Sequence, residues 1–146
     1  MSNNEKQLKH VDVGLTHIAL LAKDLDASIA FYGHYAKMQV VHERVVEESQ
    51  TRVVWLSDKT RPFAIVLFQD ANPNVILAPF SHLGVGCKSK QEVDELCADA
   101  RDCGILVQEP TDSGYPAGYW ALLKDPDGHT LELSYGQEVG FTIESN

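Results

Sequence analysis

The sequence predicts an α+β fold of two tandem βαβββ modules, and three observations carry that prediction. Strand-like and helix-like apolar spacing alternates in the same order twice along the chain. An offset of 65 residues (82 less 17) lays Thr16-His17-Ile18 on Ser81-His82-Leu83, Lys23 on Lys88 and Val40-Val41 on Ile105-Leu106. Both helical stretches then fall in the same slot. Internal duplication accounts for all three.

Residues 1–12 read as a polar tail, and module 1 spans about 13–70. Its first strand is the apolar run Leu15–Ala22, broken by Lys23-Asp24. A helix from Asp26 to about Met38 follows, because Leu25, Ile29, Tyr32 and Tyr35-Ala36 share one face. Asp24 or Asp26 caps it. Val40–Val46, Thr51–Leu56 and Phe63–Phe68 are three further strands, separated by polar turns and Pro62.

Module 2, about 80–136, opens with the strand His82–Cys87. Ser89-Lys90-Gln91-Glu92 has capping-box spacing, Val93, Leu96, Cys97 and Ala100 form the apolar stripe, and Gly104 stops the helix. Strands follow at Ile105–Glu109, Tyr119–Lys124 and Thr130–Tyr135. Asp125-Pro126-Asp127-Gly128 suits a type I turn between the last two. Residues 137–146 read as a C-terminal tail.

A chain of 146 residues suits one domain whose halves share a core. The formal charge of −9, with no Lys/Arg cluster, argues against a nucleic-acid partner, since phosphate binding needs a positive surface. No apolar run is long enough to span a bilayer, and MSNNEKQLKH lacks the apolar stretch of a signal peptide. No membrane partner and a cytoplasmic location are therefore expected. The three cysteines have no CxxC spacing; Cys97 and Cys103, in the second helix, read as small buried apolar residues.

Chemistry concentrates on three residues. Side chains alternate across a strand, so burying Leu131 and Leu133 beneath a helix puts Thr130, Glu132 and Ser134 on the opposite face. By the same parity His82 shares a face with Gly84 and Gly86, and His17 with Ala19. Two histidines at matched repeat positions, with one carboxylate, form a minimal metal set if the duplicated halves bring them within about 2.0–2.3 Å of a common point. His10, His34, His42 and His129 lack this pattern, and solvated or structural roles are expected of them.

Thr16-His17-Ile18-Ala19 with Asp24 through Tyr32, His82-Leu83-Gly84-Val85-Gly86, and Asp125-Pro126-Asp127-Gly128-His129-Thr130-Leu131-Glu132-Leu133 resemble the vicinal oxygen chelate superfamily. That superfamily includes glyoxalase I, extradiol dioxygenases, fosfomycin-resistance enzymes and bleomycin-binding proteins. The resemblance covers about residues 13–136. It implies a curled mixed sheet around a central cavity, helices on the outside, and one divalent metal held by His17, His82 and Glu132.

The resemblance also sorts the reactions. Glyoxalase I usually adds a glutamate on the last strand of module one, where this chain has Val66, or Leu67 by the bare offset. Fosfomycin enzymes use basic residues that the loop 111–118 and the acidic tail do not supply. Extradiol enzymes place a tyrosine where this chain has Leu122, with Tyr119 and Trp120 nearby. Two histidines and one carboxylate with open positions suit a facial triad. The expectation is a metalloenzyme acting on a small oxygen-bearing organic substrate, dioxygenase-like ahead of lyase or isomerase. Fe2+ is the first choice, then Mn2+, Ni2+ or Zn2+. Tyr115 and Tyr119 are candidate proton donors, and Trp120 and Leu122 candidate substrate contacts. A metal-free binder of the bleomycin-resistance type is the contrasting class. Exposed sheet edges favour a C2 homodimer.

Overall fold

The computed structural model describes residues 11–144, without the side chains of residues 141 and 142. Most of the expected N-terminal tail, residues 1–10, lies outside the described residues. The elements are β1 (His17–Ala22), α1 (Leu25–Ala36), β2 (Gln39–Val46), β3 (Thr51–Ser57), β4 (Ala64–Gln69), β5 (His82–Gly86), α2 (Lys90–Asp102), β6 (Leu106–Asp112), β7 (Tyr119–Lys124), β8 (Thr130–Tyr135) and α3 (Val139–Glu144). The fold is α+β with two repeated βαβββ modules, as the sequence predicts. Two details differ. The short helix α3 occupies part of the expected tail, and β6 continues through Pro110, which an edge strand tolerates because its outer N–H groups need no partner.

Each module is an open four-stranded mixed sheet, ordered β1-β4-β3-β2 and β5-β8-β7-β6. The helix carries the chain across the sheet, so the first strand lies parallel to the last and the remaining pairs are antiparallel. The register aligns one cross-sheet row in each module. Ala19, Val66, Trp55 and His42 form the first row; Gly84, Glu132, Leu122 and Gln108 form the second. Both second strands also slip register in the same slot, between Val40 and His42 and between Leu106 and Gln108. A shared irregularity of this kind is what a duplicated backbone retains.

Local chemistry fixes the helix ends. Of the two cap candidates it is Asp24 whose carboxylate accepts from the Ala27 N–H (3.1 Å). Ser89 accepts from the Glu92 N–H (3.0 Å), and the Glu92 carboxylate accepts from the Lys88 N–H, one residue before the usual capping-box partner. α2 ends at Cys103-Gly104, with Gly104 at φ +72°. α1 ends on Lys37, a side-chain-bearing residue at φ +55°.

One hydrophobic core joins both modules, drawing on β1, β3, β4 and α1 in the first and α2, β7 and β8 in the second. Leu123, Leu131 and Leu133 are fully buried, each worth roughly 1.5–3 kcal/mol relative to exposure. Cys97 is buried as expected, but Cys103 is exposed, because it caps the helix beyond the apolar stripe. Burial pushes the Cys87 and Cys97 thiols up to about 11, which favours the protonated thiol over the nucleophilic thiolate.

The modules meet through their helix sides. The Tyr32 hydroxyl donates to Asp125 (2.8 Å), and Asp127 accepts from the Lys23 N–H (3.0 Å). Burial first, then the Asp125 charge, hold the Tyr32 hydroxyl far above the ordinary tyrosine range, so it remains a donor. Asp125 also accepts from the N–H groups of Asp127 and His129, both at 2.9 Å. His129 is 1% exposed and structural. Its Nδ1 accepts from the Leu77 N–H (2.9 Å) and its Nε2 donates to the Leu21 carbonyl (2.8 Å). The turn motif therefore does more than reverse the chain. It rivets the last hairpin of module 2 to β1 and α1 of module 1.

Candidate metal centre

The faces turned away from the helices carry the candidate ligands. Leu20 and Ala22 enter the core from β1, while His17 is exposed on the opposite side. Leu131 and Leu133 do the same on β8, leaving Glu132 on the other face, paired in register with Gly84 and Leu122. A Cβ added at Gly84 or Gly86 would meet no heavy atom within 4 Å, so this face is open beside His82.

His82 and Glu132 come together as a half-site. The His82 Nε2 lies 2.9 Å from the Glu132 Oε2, with side-chain exposures of 37% and 12%. The Nδ1 lies 2.8 Å from the Phe80 carbonyl oxygen. That oxygen can only accept, so Nδ1 carries the proton. In the neutral ring Nε2 is then a lone pair facing a carboxylate oxygen, an opposition relieved by a second proton or by a cation between them. A backbone carbonyl holding the remote nitrogen is also the usual support of a metal-binding imidazole. The donor set thus fits a divalent ion.

His17 does not join that pair within one chain. It stands on the other sheet, its Nδ1 hydrogen-bonded to the Thr16 hydroxyl (2.9 Å). Among the described residues, no three His, Cys, Asp or Glu side chains gather closely enough to hold a metal ion. A cavity of about 180 Å³ is lined by Ile18–Leu21, Val75–Leu77 and His129, and by none of the three candidate ligands.

The remaining site candidates divide by face. Trp120 and Leu122 lie on the face of Glu132; Leu122 is its register partner, and the Trp120 Nε1–H donates to the Ser113 hydroxyl (2.8 Å). Tyr119 lies on the other face and bonds to Asp94 of α2. That bond, and then burial, push the Tyr119 hydroxyl up to about 12. Its hydroxyl is engaged with the helix, away from Glu132. Tyr115, 66% exposed, stands in the loop between β6 and β7. The glyoxalase-type fourth position resolves to Val66, since the row Ala19–Val66–Trp55 matches Gly84–Glu132–Leu122.

Parity counting missed a second cluster. His42 packs edge-on against Trp55 (ring centroids 4.9 Å apart), and the Arg44 guanidinium lies over the same indole, 5.8 Å from its centroid. Simple alternation puts His42 on the face of Val40. The bulge at Val41 inverts that parity and turns His42 and Arg44 onto the face of His17. Nothing in the sequence alone marks the bulge.

The chain belongs to the Glyoxalase/Bleomycin resistance protein/Dioxygenase superfamily, whose model matches residues 14–133. It is 40% identical over 129 residues to the uncharacterized protein PA2024 of Pseudomonas aeruginosa, covering 86% of this chain and 91% of that one. Its fold is similar to that of the trypanothione-dependent glyoxalase I of Leishmania major (TM-score 0.70, 24% identity, 92% of this chain and 94% of that one). It is also similar to that of the genomically encoded fosfomycin resistance protein FosX of Listeria monocytogenes (TM-score 0.68, 20% identity, 86% and 95%). No helix among the described residues is long and apolar enough to cross a membrane.

Proposed function

We propose that this chain is a metal-dependent enzyme whose site is completed between two copies, His17 of one joining His82 and Glu132 of the other. The observation that carries this is the His82–Glu132 half-site, with Nε2 and Oε2 at 2.9 Å and the remote nitrogen anchored to Phe80. Two features support sharing between copies. The helix sides are consumed in joining the modules of one chain, while His17, His82, Gly84 and Gly86 stay exposed on the ligand faces. Leu15 (89% exposed) and Phe80 (92%) flank His17 and His82, as apolar surface awaiting a partner would.

A bound divalent ion would act as a Lewis acid on two adjacent substrate oxygens, stabilising enolate or catecholate-like charge. The chain's part is to hold it in an open face. Glu132 supplies negative charge, and the Phe80 carbonyl fixes the His82 tautomer. Trp120 and Leu122 provide an apolar wall that excludes water, and Tyr115 is the candidate proton donor. Three protein ligands leave about three octahedral positions for substrate and water or O2. Val66 in the fourth-ligand slot keeps that number high, which favours dioxygenase-type chemistry over a lyase or isomerase and Fe2+ over Mn2+, Ni2+ or Zn2+. The Listeria FosX has a structure in complex with Mn(II), which supports a divalent ion on this fold.

Mixing two defective proteins tests the shared site. His17→Ala and His82→Ala should each lose metal by elemental analysis. Refolded together, they should regain about a quarter of wild-type content, because half the dimers are mixed and each mixed dimer has one intact site. No recovery on mixing, or full metal content in either variant, would sink the proposal. Oxygen-electrode assays on a catechol panel then test the reaction: turnover without O2 consumption would move the assignment to a lyase or isomerase.

A further inference from the structure

The row that carries Glu132 in module 2 carries Trp55 and His42 in module 1, with Arg44 on the same face one row further along. We infer that Arg44, His42 and Trp55 form a subsite for the carboxylate of an aromatic acid, so that the substrate of the proposed metal site is anionic.

A protein of net charge −9 repels anions in general, so a carboxylate needs a local exception. The module 1 face provides one. Glu43 is the single acidic residue in β1–β4, and it is turned to the helix side, where it pairs with Arg52 (2.8 Å), itself joined to Asp26 of α1. Arg44 is turned the other way. It is exposed and makes no ion pair among the described residues. The face is left with one guanidinium, two imidazoles and no carboxylate.

Geometry adds selectivity. The Trp55 indole makes a cation–π contact with the Arg44 guanidinium, which restricts that side chain and lessens the freedom lost when a ligand binds. Its N–H edges remain to form a fork with both oxygens of a carboxylate. His42, edge-on to the same indole, adds a ring N–H donor beside it. Trp55 is half-buried and offers apolar surface to a flat ring. The cluster lies two and three strands across the sheet from β1 and two to four residues along it from the row of His17, so its backbone stands roughly 12–20 Å from that of His17 at the usual strand spacing and rise. Long side chains reaching inward shorten that span to the scale of a small substrate. One end of the ligand would chelate beside His17 while the other is held by Arg44.

This substrate assignment rests on the metal reading, but the anion binding does not, and the test separates them. Protein treated with EDTA is titrated calorimetrically with benzoate and with benzamide, its neutral analogue. Wild type should prefer benzoate about tenfold. Arg44→Gln should erase the preference and Arg44→Lys should keep part of it, with thermal melts confirming that both fold. Equal affinity for the two probes, a preference untouched by Arg44→Gln, or inorganic phosphate competing as well as benzoate would overturn the subsite. An Arg44-dependent preference in protein that never takes up metal would uphold the anion site and defeat the metal reading alone.

Discussion

The two modules share a backbone and differ in what they display on it. Topology and the first bulge of the second strand repeat, although β6 slips once more between Gln108 and Thr111, yet the equivalent rows read Ala19, Val66, Trp55, His42 and Gly84, Glu132, Leu122, Gln108. Module 2 holds two ligand candidates on one face. Module 1 holds one, together with a cationic, aromatic patch. A duplicated scaffold fixes where side chains emerge, and each copy is free to fill the positions differently. Division of labour between identical sheets follows from that freedom.

The largest test of this asymmetry compares Glu132 with Val66. Glu132→Ala should lower turnover by about three orders of magnitude or more, because the carboxylate is the only anionic ligand candidate. Val66→Ala, at the same slot, should stay within about threefold in kcat, its cost appearing as stability because Val66 is 3% exposed. Comparable kinetic losses would mean that the two rows are functionally alike. Steady-state kinetics on whichever substrate the catechol panel identifies checks both.

The turns between third and fourth strands differ just as sharply. In module 2 it is the rivet centred on Asp125, 3% exposed, which accepts three hydrogen bonds. In module 1 the counterpart Asp58 accepts only from the backbone N–H and hydroxyl of Thr60, in an otherwise exposed turn. Asp125→Ala strands buried donors and should cost roughly 3 kcal/mol, lowering Tm by about 10 °C. Asp58→Ala should cost less than about 1 kcal/mol. Equal shifts in Tm would remove the inter-module role of Asp125. Tyr32→Phe, losing one of the three bonds, should fall between them at about 1–2 kcal/mol.

These contrasts show how far the sequence could be read. The elements were legible because burial imposes periodicity: Leu131 and Leu133 had to go inward, so Glu132 had to go outward. The repeat offset paired His17 with His82 for the same reason. Parity, however, is local. It assigns a face but not the direction in which that face points, so it placed His17, His82 and Glu132 on matching sides without revealing that one chain brings only two together. It also fails wherever a strand carries an extra residue, which is why the Arg44–Trp55–His42 cluster went unseen. Tyr119, by contrast, lies within the reach of parity: adjacent to Trp120 on an unbroken strand, it must take the opposite face, and it does. Asp125 read as a turn former because its partners, Tyr32 and the backbone of His129, lie 93 and 4 residues away. Only the second is visible to local reasoning.

The smallest effect expected lies at the helix ends. α2 passes into its left-handed turn on Gly104 (φ +72°), while α1 does so on Lys37 (φ +55°). A side chain in that region crowds the backbone, and glycine avoids the penalty. Lys37→Gly should therefore stabilise module 1, although it forfeits the exposed bond from the Lys37 ammonium to the His34 carbonyl (3.1 Å). The net gain should be about 0.5 kcal/mol, or one to two degrees in Tm. Gly104→Ala should cost about 1 kcal/mol, since an added Cβ there meets no atom within 4 Å and only the backbone conformation resists it. Opposite signs at the two ends would show that module 2 already carries the better cap. A loss at both would mean that the Lys37 side chain contributes more through its carbonyl bond than its backbone conformation costs.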